Sequence, residues 1–379
     1  MRIGKIKVNH YINYAVIGLL TLVFGLISLS GGRMDSSLLF LLEKTAISII
    51  LAVSLSMVVG FLGELSLGHA GFMCVGAYLG GKVAAVLEPA LGNGPLTLLV
   101  ALVVGAAVAA ACGVVIGIPA LRLRGDYLAI VTLAFGEIVK SVFQNTSDTT
   151  FGGALGLDTP RYDKRYLFIF AFILVLVTLA VIQNFIRSKH GRAVTAIRDN
   201  EIAAKATGIN VTKYKLLAFI LSATFAGVAG VLYSYSNYTV QSAKFGYNYS
   251  IEILVMVVLG GMGSINGSII AAALITFLNT KLATILTGDL AVLQNLFYAL
   301  ILIVIVVYNN APALKNFRNK YNAGALIKKL LKPKHDPSNI KDDAAKWDVV
   351  PTKIEMNEIL SVDMVPQDKL DLTGKGGKR

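Results

Sequence analysis

Long apolar runs separated by short polar segments dominate the chain. A helix needs ~20 mostly apolar residues to cross the hydrocarbon core of a bilayer, and most of these runs approach that length. The candidate crossings or partial crossings are Tyr14–Leu29, Leu38–Leu62, Gly68–Leu87, Pro95–Pro119, Tyr127–Phe143, Tyr166–Ile186, Tyr214–Tyr235, Ile251–Met262, Ile269–Leu286 and Leu290–Tyr308. The pattern therefore predicts an all-α polytopic membrane protein with about ten (8–10) transmembrane or broken helices.

The composition supports the same interpretation. Hydrophobic residues make up 55% of the 379-residue chain, charged residues make up 15%, and the mean hydropathy is +0.68. Soluble domains carry about 25% charged residues, so this chain has too few polar groups to cover a water-facing surface. A disordered protein is excluded, and a cytosolic enzyme is disfavoured. The two cysteines, Cys74 and Cys112, lie in apolar runs without a partner at metal-binding spacing, so we expect them to pack in the interior.

The positive charge of the chain is concentrated in segments that the predicted spans leave on one side. If the N-terminus is cytoplasmic, it shares that side with the turn at Arg122 and Arg124, the loop 187–215 and the C-terminal tail, which together hold 26 of the 35 Lys and Arg. Basic loops stay in the cytoplasm, so this arrangement predicts the orientation. The resulting segments are a cytoplasmic N-terminus (1–13), a transmembrane domain (14–308) that contains a cytoplasmic loop (187–213), and a basic and then mixed-charge cytoplasmic tail (309–379).

Glycines and ionisable side chains interrupt the apolar runs at four places. Non-helical backbone at membrane depth is tolerated only where it is buried in protein or lines a cavity, and the amide ends of broken helices suit a carboxylate-bearing solute. We therefore expect the substrate pathway and broken helices at Gly68, His69, Gly125, Asp126, Glu137, Gly152, Gly153, Gly260, Gly261 and Gly263. Two alternatives stay open, because glycines also serve close helix packing and His69 also suits a hydrogen-bonded structural role. Glu137 favours a cavity or a partner, since a carboxylate that faces lipid is costly.

Sequence motifs for catalysis are absent. The chain has no phosphate-binding G-x-x-x-x-G-K-[ST] loop, no H-E-x-x-H zinc motif and no Ser/His/Asp arrangement. It also lacks the continuous basic surface that nucleic-acid binding requires. We therefore expect no catalytic residue, no metal and no cofactor bound by this chain, and any energy source must come from another subunit or an ion gradient.

The predicted cytoplasmic loop contains a short capped helix. Asn200 is suited to cap a helix over Glu201–Thr207, and Gly208 is suited to end it. Glu201 and Lys205 stand four residues apart, the favourable order on a helix. The remaining residues of interest are Arg198 and Asp199 before the cap, and an apolar face of Ile202, Ala203, Ala206 and Ile209. The alanines favour a flat face pressed into a partner, and a helix lying on the membrane surface is the alternative.

At this loop the sequence resembles a known family. Ala203-Ala204 followed by Gly208 is similar to the E-A-A-x-x-x-G loop of bacterial ABC importer permeases, with Ile202 where Glu usually stands. Longer stretches resemble the branched-chain amino acid permease family of the LivM type, and the resemblance covers roughly residues 40–310. These stretches are Leu65-Ser66-Leu67-Gly68-His69-Ala70, the run from Arg124-Gly125-Asp126 to Gly136-Glu137-Ile138, and Val258-Leu259-Gly260-Gly261-Met262-Gly263-Ser264.

The resemblance implies an ABC importer permease fold and a set of partners. Such a permease pairs with a second, homologous permease subunit in the bacterial plasma (inner) membrane. Two ATP-binding subunits, which hold the ATP and magnesium, attach to the cytoplasmic loop, and an extracytoplasmic substrate-binding protein delivers leucine, isoleucine or valine. ATP hydrolysis by those subunits would drive alternating access. This chain would supply half of the translocation pathway in the lipid bilayer and perform no chemistry.

Other functions remain open at this stage. A sibling ABC permease for urea, short amides or a sugar would share the fold and partners and differ only in the lining of the pathway. An ion-coupled secondary transporter or channel would need intramembrane acid/base pairs, for which Glu137, Glu64 and Glu252 are the candidates. A membrane-embedded enzyme would need a catalytic constellation that the sequence lacks.

Overall fold

Helices form nearly all of the described structure. The computed structural model describes residues 35–92, 94–123, 125–160, 164–237 and 239–285, together with positions 17, 18, 21, 299, 300 and 303. All of these residues belong to the first of the two units into which the chain divides, Met1–Val306. The α-helices are α1 (Ser36–Ser56), α2 (His69–Leu91), α3 (Pro95–Ala120), α4 (Asp126–Gln144), α5 (Asp148–Phe151), α6 (Lys164–Arg187), α7 (Lys189–Asp199), α8 (Glu201–Ala206), α9 (Val211–Asn237), α10 (Tyr247–Gly260) and α11 (Ile265–Ile285).

Six described helices are long and apolar enough to cross a membrane, which confirms the predicted all-α polytopic fold. They are α1 with its extension to Leu62, α2, α3, α6, α9 and α11. Helix α10 has 14 residues and a length of about 21 Å, so it covers only part of the ~30 Å hydrocarbon core. The 19-residue helix α4 carries Asp126, Glu137 and Lys140. Nearly all of Tyr14–Leu29 and Leu290–Tyr308, and all of segments 1–13 and 309–379, lie outside the described residues.

Helices α2, α3 and α9 pack together at the centre through glycine. A Cβ at Gly76 of α2 would overlap the backbone of Gly227 in α9, and one at Gly227 would overlap the Ala109 side chain in α3. Gly105 of α3 faces both α9 and α2, because a Cβ there would meet Val231 of α9 and the carbonyl of Gly76 of α2. Small residues let helix backbones approach closely in lipid, where apolar burial supplies little driving force.

The connection between α1 and α2 is a break rather than an ordinary loop. Helix α1 continues as a π-helical segment over Met57–Leu62 and ends at Gly63, whose positive φ of 78° suits glycine. An irregular stretch follows, Glu64–Gly68, and α2 then begins at His69. We call residues 63–68 the break.

The two ends of the bundle carry different structures. At one end, α7 and α8 lie between α6 and α9, and the break and the turn between α10 and α11 reach the same end. We call this the loop end. At the other end, β1 (Leu157–Asp158) pairs antiparallel with β2 (Thr239–Val240), and a 3-10 helix spans Ser242–Phe245. We call this the strand end, where the Tyr78 hydroxyl donates to the carbonyl of Val240 at 2.9 Å.

Candidate functional site

A buried lysine at the start of α9 connects the loop end to the break. The Lys215 side chain is only 5% exposed, and its Nζ lies 2.5 Å from Glu64 Oε1 and 3.3 Å from Glu201 Oε2. Glu64 belongs to the break and Glu201 to α8. One ammonium group therefore bridges α8 and the break, and the low exposure of the pair with Glu64 protects it from screening by solvent.

Arg198 forms a second connection between the same regions. Its Nη1 donates to the carbonyl of Gly60 in the π-helical segment at 3.0 Å, and its Nε and Nη2 donate to Asp199 at 3.1 Å and 2.9 Å. A Cβ at Gly63 would lie 2.6 Å from Arg198 Cγ, so the break has room for the arginine stem because residue 63 is glycine. Since α7 ends with Arg198 and Asp199, the loop is in direct contact with the backbone before the break.

The short helix of the loop has the predicted caps but a different inward face. The Asn200 side chain accepts from the N–H groups of Ile202 and Ala203 at 3.0 Å, and Gly208 has a positive φ of 83°, as predicted. The helix spans Glu201–Ala206 and ends one residue earlier than expected. Ala204 is buried against this chain, whereas Ile202 is 78% exposed and Ala203 is exposed. The exposed surface available to a partner therefore contains Ile202 and Ala203, and Ala204 faces inward.

The start of α2 is held by hydroxyl groups from neighbouring helices. His69 is buried, and its Nε2 lies 2.8 Å from the Ser54 hydroxyl of α1. The Ser222 hydroxyl of α9 donates to the carbonyl of Ser54, which extends the same set of contacts. These contacts are those of a hydrogen-bonded structural histidine, one of the two roles expected from the sequence.

Two further hydroxyls satisfy amide groups that the break leaves unpaired. The N–H of Leu67 donates to the Thr132 hydroxyl of α4 at 3.0 Å, and the N–H of Ala70 donates to the Ser250 hydroxyl of α10 at 3.2 Å. Buried backbone groups without partners are costly, so these contacts stabilise non-helical backbone inside the bundle. A Cβ at Gly68 would overlap the carbonyl of Thr132, which explains glycine there.

Glu137 acts as a cap for the half-length helix α10. Its Oε1 accepts from the N–H of Tyr247, the first residue of that helix, at 2.7 Å. Its Oε2 pairs with Lys140 Nζ at 3.0 Å on the same helix. A carboxylate at a helix N-terminus satisfies a free N–H and opposes the positive dipole end. Of the two surroundings expected for this acid, the structure shows a partner, and the side chain is 32% exposed.

The turn between α10 and α11 brings a second glycine-rich segment to the loop end. Gly261 and Gly263 have positive φ values of 91° and 82°, and a Cβ at Gly260 would overlap the backbone of Gly267. A Cβ at Gly60 would overlap the backbone nitrogen of Gly263, so this turn touches the π-helical segment. The turn and the π-helical segment therefore meet beside Arg198.

The remaining predicted residues are not gathered at one place. Gly125 and Asp126 are exposed at the start of α4, and Gly125 has a positive φ of 57°. Gly152 and Gly153 lie in the turn that leads to β1 at the strand end. The ten expected pathway residues thus divide between the break with its neighbours and two outlying turns.

Several polar residues of the site were not found from the sequence. They are Lys215, Ser54, Ser222, Thr132 and Ser250, together with Glu43, a buried acid of α1 that accepts from the Ser236 hydroxyl at 2.7 Å. Their partners are distant in the chain; Lys215 and Glu64, for example, are 151 positions apart. No group of three or more His, Cys, Asp or Glu side chains arranged to hold a metal ion occurs among the described residues.

Comparisons with known proteins give a consistent result. The family described as branched-chain amino acid transport system / permease component matches residues 37–307. The high-affinity branched-chain amino acid transport system permease proteins LivM of Salmonella typhimurium (strain LT2) and Escherichia coli (strain K12) are 39% and 38% identical over 262 residues. Each alignment covers 61% of this chain and 60% of the relative's length. The ribose import permease protein RbsC of Escherichia coli (strain K12) is 28% identical over 321 residues, covering 78% of this chain and 92% of that protein.

Proposed function

The chain belongs to the family of branched-chain amino acid transport system permease components, and from this membership we propose that it is one permease subunit of an ATP-driven importer. Its substrates are leucine, isoleucine and valine, and it forms half of the translocation pathway by alternating access. The LivM relatives support branched-chain amino acids as the proposed substrates, because their names describe branched-chain amino acid transport.

The partners follow from the same proposal. A second permease subunit completes the pathway, two ATP-binding subunits supply the energy, and a substrate-binding protein delivers the amino acid on the opposite face. ATP and magnesium belong to the ATP-binding subunits, and this chain is not itself an enzyme. The loop end faces the cytoplasm, and the N-terminus and tail lie on the same side, as the distribution of basic residues predicts.

The observation that carries the mechanism is the Lys215 bridge between α8 and the break. We infer that an ATP-binding subunit contacts the exposed side of α8 and moves it when its nucleotide site closes. Because Lys215 holds Glu201 and Glu64 together, this displacement reaches the break, where backbone hydrogen bonds are irregular. Arg198 carries the same displacement to Gly60, beside the turn between α10 and α11.

A sugar permease is the second candidate, because RbsC matches this chain over most of its own length. The fold and the loop-end connections suit either substrate, since they concern energy coupling and not recognition. Substrate identity therefore has to be measured directly.

Reconstitution of the complete importer in proteoliposomes tests the function. We expect ATP-dependent uptake of radiolabelled leucine when both permeases, the ATP-binding subunits and the binding protein are present, and no uptake with this chain alone. Uptake of ribose without leucine would support the sugar permease. Uptake driven by an ion gradient in the absence of the ATP-binding subunits would contradict the ABC mechanism.

A further inference from the structure

A cavity at the strand end lies apart from the break and from the contacts of Lys215 and Arg198. It has a volume of about 1030 Å³ and lies between α1, α9, the 3-10 helix, α10 and α11. Small-molecule sites typically measure ~300–1,000 Å³ and combine apolar walls with a few placed polar groups. We call it the strand-end cavity, and it is large enough for a free amino acid.

Two lysines from different elements face this cavity. Lys44 comes from α1, where its Nζ lies 4.4 Å from the centre of the Phe40 ring, and Lys244 comes from the 3-10 helix. Lys44 is close enough to interact electrostatically with Lys244, which repels it, and with Glu252, which attracts it, and neither lysine forms a direct ion pair with a carboxylate among the described residues. The described lining carries two lysines and one glutamate, and its net positive charge favours an occupant with a carboxylate.

A carboxylate of α10 and a buried hydroxyl of α11 also line the cavity. Glu252 of α10 accepts from the Asn279 amide at 3.0 Å through one oxygen, and its carboxylate also interacts electrostatically with Lys44. The Thr276 hydroxyl of α11 is buried without a hydrogen-bond partner in the described part of the chain. These groups are suited to accept from a ligand ammonium group.

Apolar side chains complete the lining. Phe40, Ile47 and Phe245 supply aromatic and aliphatic surface beside the charged groups. A ligand that satisfies all of these features carries a carboxylate, an ammonium group and an apolar side chain. A sugar has no charge to offer the two lysines, and a free fatty acid has no ammonium group to offer Glu252.

We propose that the strand-end cavity binds the zwitterionic aliphatic amino acid that the importer carries, with its carboxylate between Lys44 and Lys244 and its ammonium group at Glu252 and Thr276. This inference rests on the proposed function and adds a site within this subunit, distinct from the break. The cavity receives the amino acid on the side opposite α8, before the break changes shape.

Equilibrium binding of tritiated L-leucine tests the two lysines. The preparation is the importer of both permeases and the ATP-binding subunits, without the binding protein, in nanodiscs of phosphatidylcholine. We expect Lys44→Gln with Lys244→Gln to raise the Kd for leucine at least tenfold. The matched control is Lys281→Gln, because Lys281 also lies over a phenylalanine ring, at 5.9 Å from Phe277, but does not line the cavity. It should leave the Kd unchanged.

Competition by leucine analogues tests the ammonium subsite. Wild type should prefer leucine over 4-methylpentanoate, which lacks the ammonium group, and Glu252→Gln should remove that preference. Lys244→Gln alone changes an exposed residue of the 3-10 helix and is not expected to disturb folding. It should raise the Kd several-fold and thus separates loss of binding from misfolding.

Two results would overturn the inference. One is an unchanged Kd in the double lysine variant. The other is a phospholipid that mass spectrometry finds bound to the wild type but not to the double variant, and that leucine does not displace. That result would make the cavity a lipid site. Failure of the proposed function looks different, since the complete importer with its binding protein would then take up no leucine. If uptake keeps its wild-type KM in the double lysine variant, only the cavity assignment fails.

Discussion

Lys215 shows how one residue acquires a role through its surroundings. Counted along the chain, it is one of the basic residues that indicate a cytoplasmic loop. In the fold it is buried between the carboxylates of Glu64 and Glu201, and only the second lies nearby in sequence, 14 positions away. No local pattern predicts the contact with Glu64, because it depends on how α9 packs beside the break.

Replacing Lys215 with methionine tests the bridge. The change leaves Glu64 and Glu201 without their shared cation, and breaking a buried ion pair by removing one partner costs about 3–5 kcal/mol. We expect a lower unfolding temperature of the purified permease and, in the assembled importer, more ATP hydrolysed per leucine imported.

Lys205 provides the control for that variant. It also pairs with Glu201, at 3.3 Å, but its side chain is 56% exposed. Exposed ion pairs contribute about 0–1 kcal/mol to stability. Lys205→Met should therefore change neither the unfolding temperature nor the ATP hydrolysed per leucine imported. If Lys215→Met and Lys205→Met gave the same results in both assays, the Lys215 bridge would have no role in stability or coupling.

Glu137 gives a second prediction for a single side chain. Glu137→Leu removes the acceptor for the N–H of Tyr247 and should reduce transport, because α10 loses the group that fixes its first residue. Loss of a helix cap costs about 0.5–2 kcal/mol. Glu137→Gln keeps an oxygen acceptor and should fall between Glu137→Leu and wild type in uptake assays. Uptake at the wild-type rate in the leucine variant would make the cap dispensable.

At the level of elements, the sequence predicted where α8 begins and ends better than which way it faces. Asn200 and Gly208 are recognisable because caps are local and depend on side-chain oxygen atoms and backbone angles. Ala203 and Ala204 are chemically identical, so which of them faces inward is set by contacts with α7 and α9. The break shows the same limit: its glycines could be read from the sequence, and the hydroxyls that hold it could not.

Tryptophan substitution separates the two faces of α8. Ala203→Trp adds bulk on the exposed side and should weaken co-purification of the ATP-binding subunit while leaving the amount of permease in the membrane unchanged. Ala204→Trp adds bulk at a buried position and should lower the amount of folded permease itself. Normal co-purification and normal leucine-stimulated ATP hydrolysis in the Ala203 variant would leave α8 as a simple connector.

For the whole molecule, hydropathy predicted most of the helices because the thickness of a bilayer imposes their length. It could not identify the central helices, since α3 at the centre and α6 outside it are about equally apolar. The orientation remains a prediction from the basic residues, and a labelling experiment can measure which end of the bundle faces the cytoplasm.

Labelling with a membrane-impermeant maleimide checks the orientation. Cysteine at Lys189, exposed at the loop end, should react only from the cytoplasm, and cysteine at Leu155, which is 77% exposed at the strand end, only from outside. The native Cys74 and Cys112 are first replaced by serine, since Cys112 is partly accessible. Labelling of both positions from one side would refute the membrane topology, and exchanged labelling would invert it.

The contact of Gly76, Gly105 and Gly227 limits how the protein can move. Because the backbones of α2, α3 and α9 approach closely at these glycines, we expect the three helices to have little freedom to slide or rotate against one another. We therefore expect these three helices to move as one rigid unit. The alternating access proposed above would then require changes of shape at the break, residues 63–68, and at the turn, residues 261–264. We expect a substitution that stiffens either segment to stop transport while leaving the fold intact.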